Sequence, residues 1–240
     1  MADTAVSLLG ITPDEAKANA NASPTTKKLV SAKFYDFLNG EFVWKKGVEN
    51  IRYDGDRVAS YDMTVPEQSR TYTIVYSENE IKMGSYSHSL SDGLIQKDYR
   101  NGPEYDGNII TRYKIREEES VLFKWENSNV VSQTNTFYNY EYIYVYSNEE
   151  CKSPLTYIWL YHTPYHVSDG ICEPGYIFLA AEGFYGAPFT HNLLAKSIKV
   201  ERGSFEFKYE KDDDGYVTKC TVISNSTNEP FQKIELKWTD

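Results

Sequence analysis

FYNYEYIYVY, residues 137–146, places tyrosine at Tyr138, Tyr140, Tyr142, Tyr144 and Tyr146, with Phe137, Asn139, Glu141, Ile143 and Val145 between them. Residues two apart share one face of a β-strand, whereas a helix would scatter them around its axis, so the spacing predicts a strand with all five phenols on one side. Tyrosine suits such a surface because its flat ring packs on the pleat while its hydroxyl finds water or a polar partner. Two uses of the ladder follow. It can line the broad interior of a curved sheet, with hydroxyls meeting buried polar groups, or it can stand open as a ring platform for sugars or peptides.

The texture around the ladder is the same. From Lys28 onward the chain reads as short alternating runs broken by Gly, Asn, Asp and Glu turns, which is a strand period. YTIVYSENEIKM, LFKWENSNVVSQ, YIYVYSNEECKS and FEFKYEKDDDGYVTKCTV each read as strand, polar turn and second strand, and NIRYDGDRVASYDM does the same with Asp54-Gly55 as its turn. Hairpins in series give an antiparallel up-and-down meander. Its two exposed edges would recruit other chains, so the expected fold is an all-β sheet of hairpins curled into a barrel-like or strongly curved form. Residues 28–240 are assigned to this domain. Residues 1–27 form an N-terminal arm, where Thr12, Pro13 and Glu15 make a capping-box signal for a short helix from Pro13 to Asn19. The stretch from Tyr161 to Lys196 breaks the rhythm with HTPYHVSDGICEPGY and GFYGAPFTHNLLAK; it is expected to form long loops with a helical turn near His191 to Ala195.

Composition narrows the function classes. The chain has 240 residues, 21 Tyr and 11 Phe, and a formal net charge of −10, with no basic stripe that would hold a phosphate backbone, so nucleic acid is excluded as a partner. The mean hydropathy is −0.57 and ITRYKIREEESVLFKWEN carries charge on both faces, which does not fit strands that are apolar outward across a bilayer. The start MADTAVSLLG lacks the basic and long apolar regions of a signal peptide, as a Met placed before a trimmed mature chain would. Cys151, Cys172 and Cys220 show no CxxC spacing; Cys151 and Cys172 are the pair to test for a bridge, against buried free thiols.

The candidate chemistry is thin. His162 and His166 have the spacing of helical zinc ligands, with Asp169 or Glu173 nearby, but Pro164 breaks a helix there and loop histidines are favoured. Asp212, Asp213, Asp214 and Gly215 could begin a calcium loop and read better as a solvated hairpin turn. Glu117, Glu118 and Glu119 read as an exposed turn. No GxSxG elbow or phosphate loop occurs, and no cofactor is expected. Binding residues concentrate on loops held by a rigid scaffold, which nominates Trp159, Tyr161 and Tyr165 as the ligand surface. The reading is a monomeric, non-catalytic binding or scaffold domain whose partner is a glycan or an envelope protein. Its rival is a carbohydrate-active hydrolase using a carboxylate pair across a cleft.

FEFKYEKDDDGYVTKCTV, preceded by the GFYG and HNLLAKSI segment and followed by the closing strand IELKW, resembles an envelope-protein domain family of Bacteroidetes described as having a porin-like fold. NIRYDGDRVASYDM looks like the same family's tyrosine hairpin. The resemblance runs from about Lys28 to Trp238. It implies a soluble barrel-like sheet and an exported, periplasmic, outer-membrane-anchored or cell-surface location. Membrane association would come only through a lipid anchor that this chain does not contain, and the resemblance carries no catalytic residues.

Overall fold

The computed structural model describes residues 27–83, 86–96, 102–153, 178–179, 181–184, 186, 192–199 and 203–239. They form sixteen strands: β1 (Leu29–Leu38), β2 (Glu41–Asp54), β3 (Arg57–Val65), β4 (Gln68–Tyr76), β5 (Glu80–Met83), β6 (Tyr86–Ser91), β7 (Leu94–Ile95), β8 (Gly102–Asp106), β9 (Ile109–Arg116), β10 (Glu119–Glu126), β11 (Asn129–Asn135), β12 (Tyr140–Glu150), β13 (Asn192–Lys199), β14 (Gly203–Lys211), β15 (Val217–Ser224) and β16 (Glu229–Trp238). All pair antiparallel in one sheet, in the order β7-β6-β5-β4-β3-β2-β1-β16-β15-β14-β13-β12-β11-β10-β9-β8. The first and last strands zip together, Ala32 opposite Leu236 and Phe34 opposite Ile234. The two edges are therefore β7 and β8, neighbours in the chain, and the meander curls into a nearly closed barrel with its seam between them. The expected fold class is what forms.

Turn chemistry sets the hairpins. Asp54-Gly55 closes β2 on β3 with Gly55 at φ 58°, and Asn127 and Ser128 take φ 49° and 61° between β10 and β11, the double left-handed geometry that matches strand twist. YIYVYSNEE departs from its expected hairpin. Ser147 and Asn148 continue β12 to Glu150, the irregularity being absorbed as register shifts against β13 on either side of Tyr146. The helical turn expected near His191 to Ala195 is likewise corrected: from Asn192 on these residues open β13, where Leu194 pairs Tyr146 and Ile198 pairs Ile143, so cross-strand partners override the local Leu-Leu-Ala-Lys preference for helix. The short N-terminal helix and Cys172 lie outside the described residues.

The two faces of the sheet differ. Inward residues such as Phe34, Trp125, Tyr144, Phe207, Val222 and Leu236 are buried. Outward, a row of charge crosses five strands: Glu210 beside Lys219 at 2.6 Å, Lys219 opposite Glu235, Glu235 opposite Lys33, and Lys33 beside Glu49 at 3.1 Å. A lipid-facing surface would bear this row at a cost of about 2–4 kcal/mol per midplane Lys or Arg. The inner face is thus largely apolar, while the outer face carries this charge alongside exposed apolar side chains such as Val75, Leu122 and Val145.

Core residues concentrate at one end of the barrel. Leu29, Val58, Ile95, Ile110, Trp125, Val130, Tyr216 and Trp238 lie beside the hairpins at that end, and the indoles of Trp125 and Trp238 donate to the carbonyls of Ile110 and Val217, each at 2.8 Å. The β11–β12 turn, with exposed Phe137 and Tyr138, stands at the opposite end with the β1–β2 and β15–β16 turns.

The connection from β12 to β13 reinforces the buried end. Phe178 and Leu179 are fully buried, and one helical turn follows, with Glu182 N–H donating to the Phe178 carbonyl at 2.9 Å. Phe178 packs 5.2 Å from the Tyr61 ring and Phe184 stacks 5.6 Å from Tyr76. The segment then straddles the seam. The Ile95 N–H of edge strand β7 donates to the Phe184 carbonyl at 2.8 Å, and Gly186 lies against the Asn108 carbonyl in the β8–β9 turn, where any Cβ would collide. Tyr105 on β8 completes the closure by donating its hydroxyl to the Ile95 carbonyl at 3.0 Å.

Candidate functional site

The tyrosine ladder is built as its spacing predicts. Rings from Tyr138 to Tyr144 follow one another at centroid distances of 5.9, 5.6 and 6.4 Å, alternating stacked and edge contacts. Ile143 and Val145 point the other way, 37% and 45% exposed. The ladder is graded. Tyr138 is 55% exposed at the rim, Tyr140 is half-buried, and Tyr144 is 3% exposed, so the rings descend from solvent into the barrel. The inner end lines the interior as one reading expects, and the rim rings stand open to solvent.

Polar groups attend the descent. Gln133 on β11 stands opposite Tyr142, and its Oε1 accepts the Tyr144 hydroxyl at 3.1 Å. Ser197 on β13 stands opposite Tyr144, and Lys199 opposite Tyr142. Lys199 holds its ammonium 4.5 Å from the Tyr140 ring centre and 4.9 Å from that of Tyr142, within cation–π range. Gln133 Nε2 and Ser197 Oγ are buried and carry no hydrogen-bond partner. A buried donor left bare costs about 1–3 kcal/mol, so two on one face of the same three strands mark a place that a polar guest or ordered water would satisfy. Burial, then the neighbouring phenols, pushes the Tyr144 hydroxyl well above its ordinary range, and it remains a neutral donor.

At the buried end a second polar cluster surrounds Glu182. Its carboxyl takes the Val58 N–H at 2.7 Å and meets the Tyr76 hydroxyl at 2.8 Å. Burial pushes its pKa up to about 7, against the opposing pull of the Val58 N–H, the Tyr76 hydroxyl and the Arg57 guanidinium. Among the described residues the groups acting on Glu182 include no second carboxylate. Sequence reasoning passed Glu182 over. The available signal was a lone carboxylate in FLAAEGFYG, between buried apolar residues in a long connection.

Trp159, Tyr161, Tyr165, His162, His166, Asp169 and Glu173 lie outside the described residues. Asp212 to Gly215 forms the expected hairpin turn: Asp212 Oδ1 accepts the N–H groups of Asp214 and Tyr216 at 3.1 and 2.8 Å, and Lys27 pairs with Asp212 at 2.9 Å. The Glu117–Glu119 reading needs correction at its last member. Glu119 is 1% exposed, because its carboxylate accepts the Asn135 side-chain N–H at 2.9 Å while Asn135 Oδ1 takes the N–H groups of Phe137 and Tyr138. This acid braces the turn that launches the ladder.

No family model and no curated protein matches the chain. Solved structures do. A porin-like protein from Bacteroides uniformis ATCC 8492 superposes with a TM-score of 0.63 at 13% identity, over 90% of this chain and 98% of that one. The fold is a porin-like one. The structural likeness agrees with the resemblance seen in the hairpins, and at this identity it speaks for fold alone. A porin-like protein from Bacteroides vulgatus ATCC 8482 also matches, at 11% identity over 88% of this chain and 99% of that one, with a TM-score of 0.45. In this porin-like fold the ladder rises on β12, four strands from edge strand β8 and close to the middle of the β8–β16 half of the sheet.

Proposed function

We propose that the chain is a non-catalytic, monomeric barrel domain exported to the bacterial envelope, where it binds glycan along the tyrosine ladder. The observation that carries this reading is the pairing of a graded ring stack with unpartnered buried polar atoms, Gln133 Nε2 and Ser197 Oγ, on one face. Sugars offer both halves of the complement: C–H faces that lie on aromatic rings, and hydroxyls that satisfy an amide, a hydroxyl and an ammonium such as that of Lys199. The charged outer row supports a domain bathed in water at the envelope, periplasmic or at the surface, and the Bacteroides likeness in fold supports the same setting. Trp159, Tyr161 and Tyr165, on the same connection as the docked segment, belong to the proposal as a second ring surface.

A glycan array followed by calorimetry on the full chain tests it. The expected result is binding of at least one oligosaccharide class that Tyr140→Ala and Lys199→Ala each weaken about tenfold or more, roughly 1.4 kcal/mol. Lys219→Ala on the outer face leaves it unchanged. A silent array, or binding indifferent to both ladder variants, refutes the ladder as the site. Binding lost only in Trp159→Ala or Tyr165→Ala moves the site to the long connection.

A further inference from the structure

Three contacts form a ring of Glu182 with β3 and β4: Val58 N–H to Oε1 at 2.7 Å, the Tyr76 hydroxyl to Oε2 at 2.8 Å, and the same hydroxyl to the Val58 carbonyl at 2.9 Å. Pairing between β3 and β4 stops at Ser60 opposite Thr73, so both backbone groups of Val58 look to side chains in place of a neighbouring strand. The protons can be counted. An ionised carboxylate leaves two hydrogens, one on Val58 N and one on Tyr76, for three contacts, and one oxygen pair must face without a proton between. A neutral acid supplies the third: Val58 N–H to Oε1, Oε2–H to the Tyr76 oxygen, and the Tyr76 O–H to the Val58 carbonyl. Only the neutral form closes the ring with one hydrogen per contact.

We propose that the segment formed by residues 178–179, 181–184 and 186 is held across the seam by a proton-dependent latch, in which neutral Glu182 completes this ring and loss of its proton loosens the segment from β3, β4 and β7. Among the described residues the charged and titratable groups facing the latch are Arg57 on β3, Tyr76 on β4 and Tyr53 on β2. Arg57 lies 5.2 Å from the Tyr76 ring centre and 5.3 Å from that of Phe184, beside the stacked pair, and Lys28 sits 5.1 Å over Tyr53. Arg57 favours the carboxylate and so sets the upper limit of the window. Tyr76 and Tyr53, both raised by burial first and by Glu182 second, stay neutral throughout.

The direction follows from linkage. A solvated Glu releases its proton near 4.5 and the docked one near 7, so between these the docked form holds a proton the free form has lost. Docking is tightest below pH 4.5, weakens as pH rises to about 7 and is level above. Over the whole titration, from well below 4.5 to well above 7, the docking equilibrium moves by about 300-fold, ten raised to the difference of about 2.5 between the two values, and about 80-fold of this falls between pH 4.5 and 7.

Hydrogen exchange on the full chain, expressed as protection factors, reads the effect at the Ile95 amide, which bonds the segment without touching Glu182. In the wild type, Ile95 protection falls by up to about 80-fold from pH 4.5 to 7. In Glu182→Gln, whose amide supplies the third hydrogen at every pH, the profile is flat. Equal pH profiles in the two proteins overturn the latch. A carbon-13 titration of the Glu182 carboxyl in the wild type decides the matter even where the variant does not fold. A midpoint near 7 supports the proton ring, and one at or below 4.5 overturns it.

Discussion

Replacing Tyr144 with Phe removes one oxygen from the foot of the ladder and tests whether its inner half is core. The Tyr144 hydroxyl is bonded to Gln133 Oε1 at 3.1 Å, both residues are buried, and Gln133 Nε2 already lacks a partner. Without the phenol the Gln133 amide retains none of its side-chain bonds, so the expected loss is about 1–3 kcal/mol, the range for stranding a buried polar group rather than for breaking an exchangeable bond. For a chain of this size each kcal/mol is a fall of about 2–4 °C in Tm. Tyr138→Phe, at the rim with its ring 55% exposed, should stay within about 0.5 kcal/mol. The pair Tyr144→Phe with Gln133→Leu, which removes donor and acceptor together, should recover part of the loss, with a coupling of about 0.5–3 kcal/mol in a double-mutant cycle. Chemical denaturation of the four proteins gives all the terms. The reasoning fails where Tyr144→Phe is neutral, or where Tyr138→Phe costs as much, since the ladder would then have no inner end.

Two further outcomes follow from the packing. Gly186→Ala adds a Cβ inside the Asn108 carbonyl at a backbone φ of 86°, so seam protection measured by hydrogen exchange at Ile95 should fall at every pH, unlike the pH-graded change of the Glu182 latch. Cys220 is 2% exposed and its thiol is pushed up by burial, so thiol alkylation should be slow in the native protein at pH 8 and rapid in denaturant; equal rates would place it at the surface.

Local pattern carried most of the sheet. Alternation in FYNYEYIYVY and in FEFKYEK fixes which side chains face inward, and Asp54-Gly55 fixes a turn, because both are decided within a few residues. Local reasoning failed where a distant partner decides. SNEE looks like a turn in isolation and becomes strand because β13, more than forty residues later, offers a pairing edge; NLLA looks helical and opens that edge. Glu119 seemed a third solvated acid in a run of three until Asn135, on the adjoining strand, gave its carboxylate a partner. The ladder as a ring face was legible, but its gradient from open rim to buried foot was not. That gradient depends on which end of the barrel the β12–β13 connection fills.

That connection also explains how the inner face of a sixteen-strand sheet is filled at one end. A membrane barrel of this strand number stands open, its outer face satisfied by lipid and its lumen by water. Here the inner face is aromatic and apolar, so the barrel must fill one end from its own chain or leave rings bare to water. Phe178, Leu179 and Phe184 supply the filling, and the same segment caps Ile95 and meets the β8–β9 turn, where the sheet has its only chain-adjacent edges. Filling and closure are one device. Glu182 is the polar group that device could not avoid, since Val58 presents both an N–H and a carbonyl where β3 and β4 part, and one acid with one phenol is the smallest set of side-chain atoms that answers both.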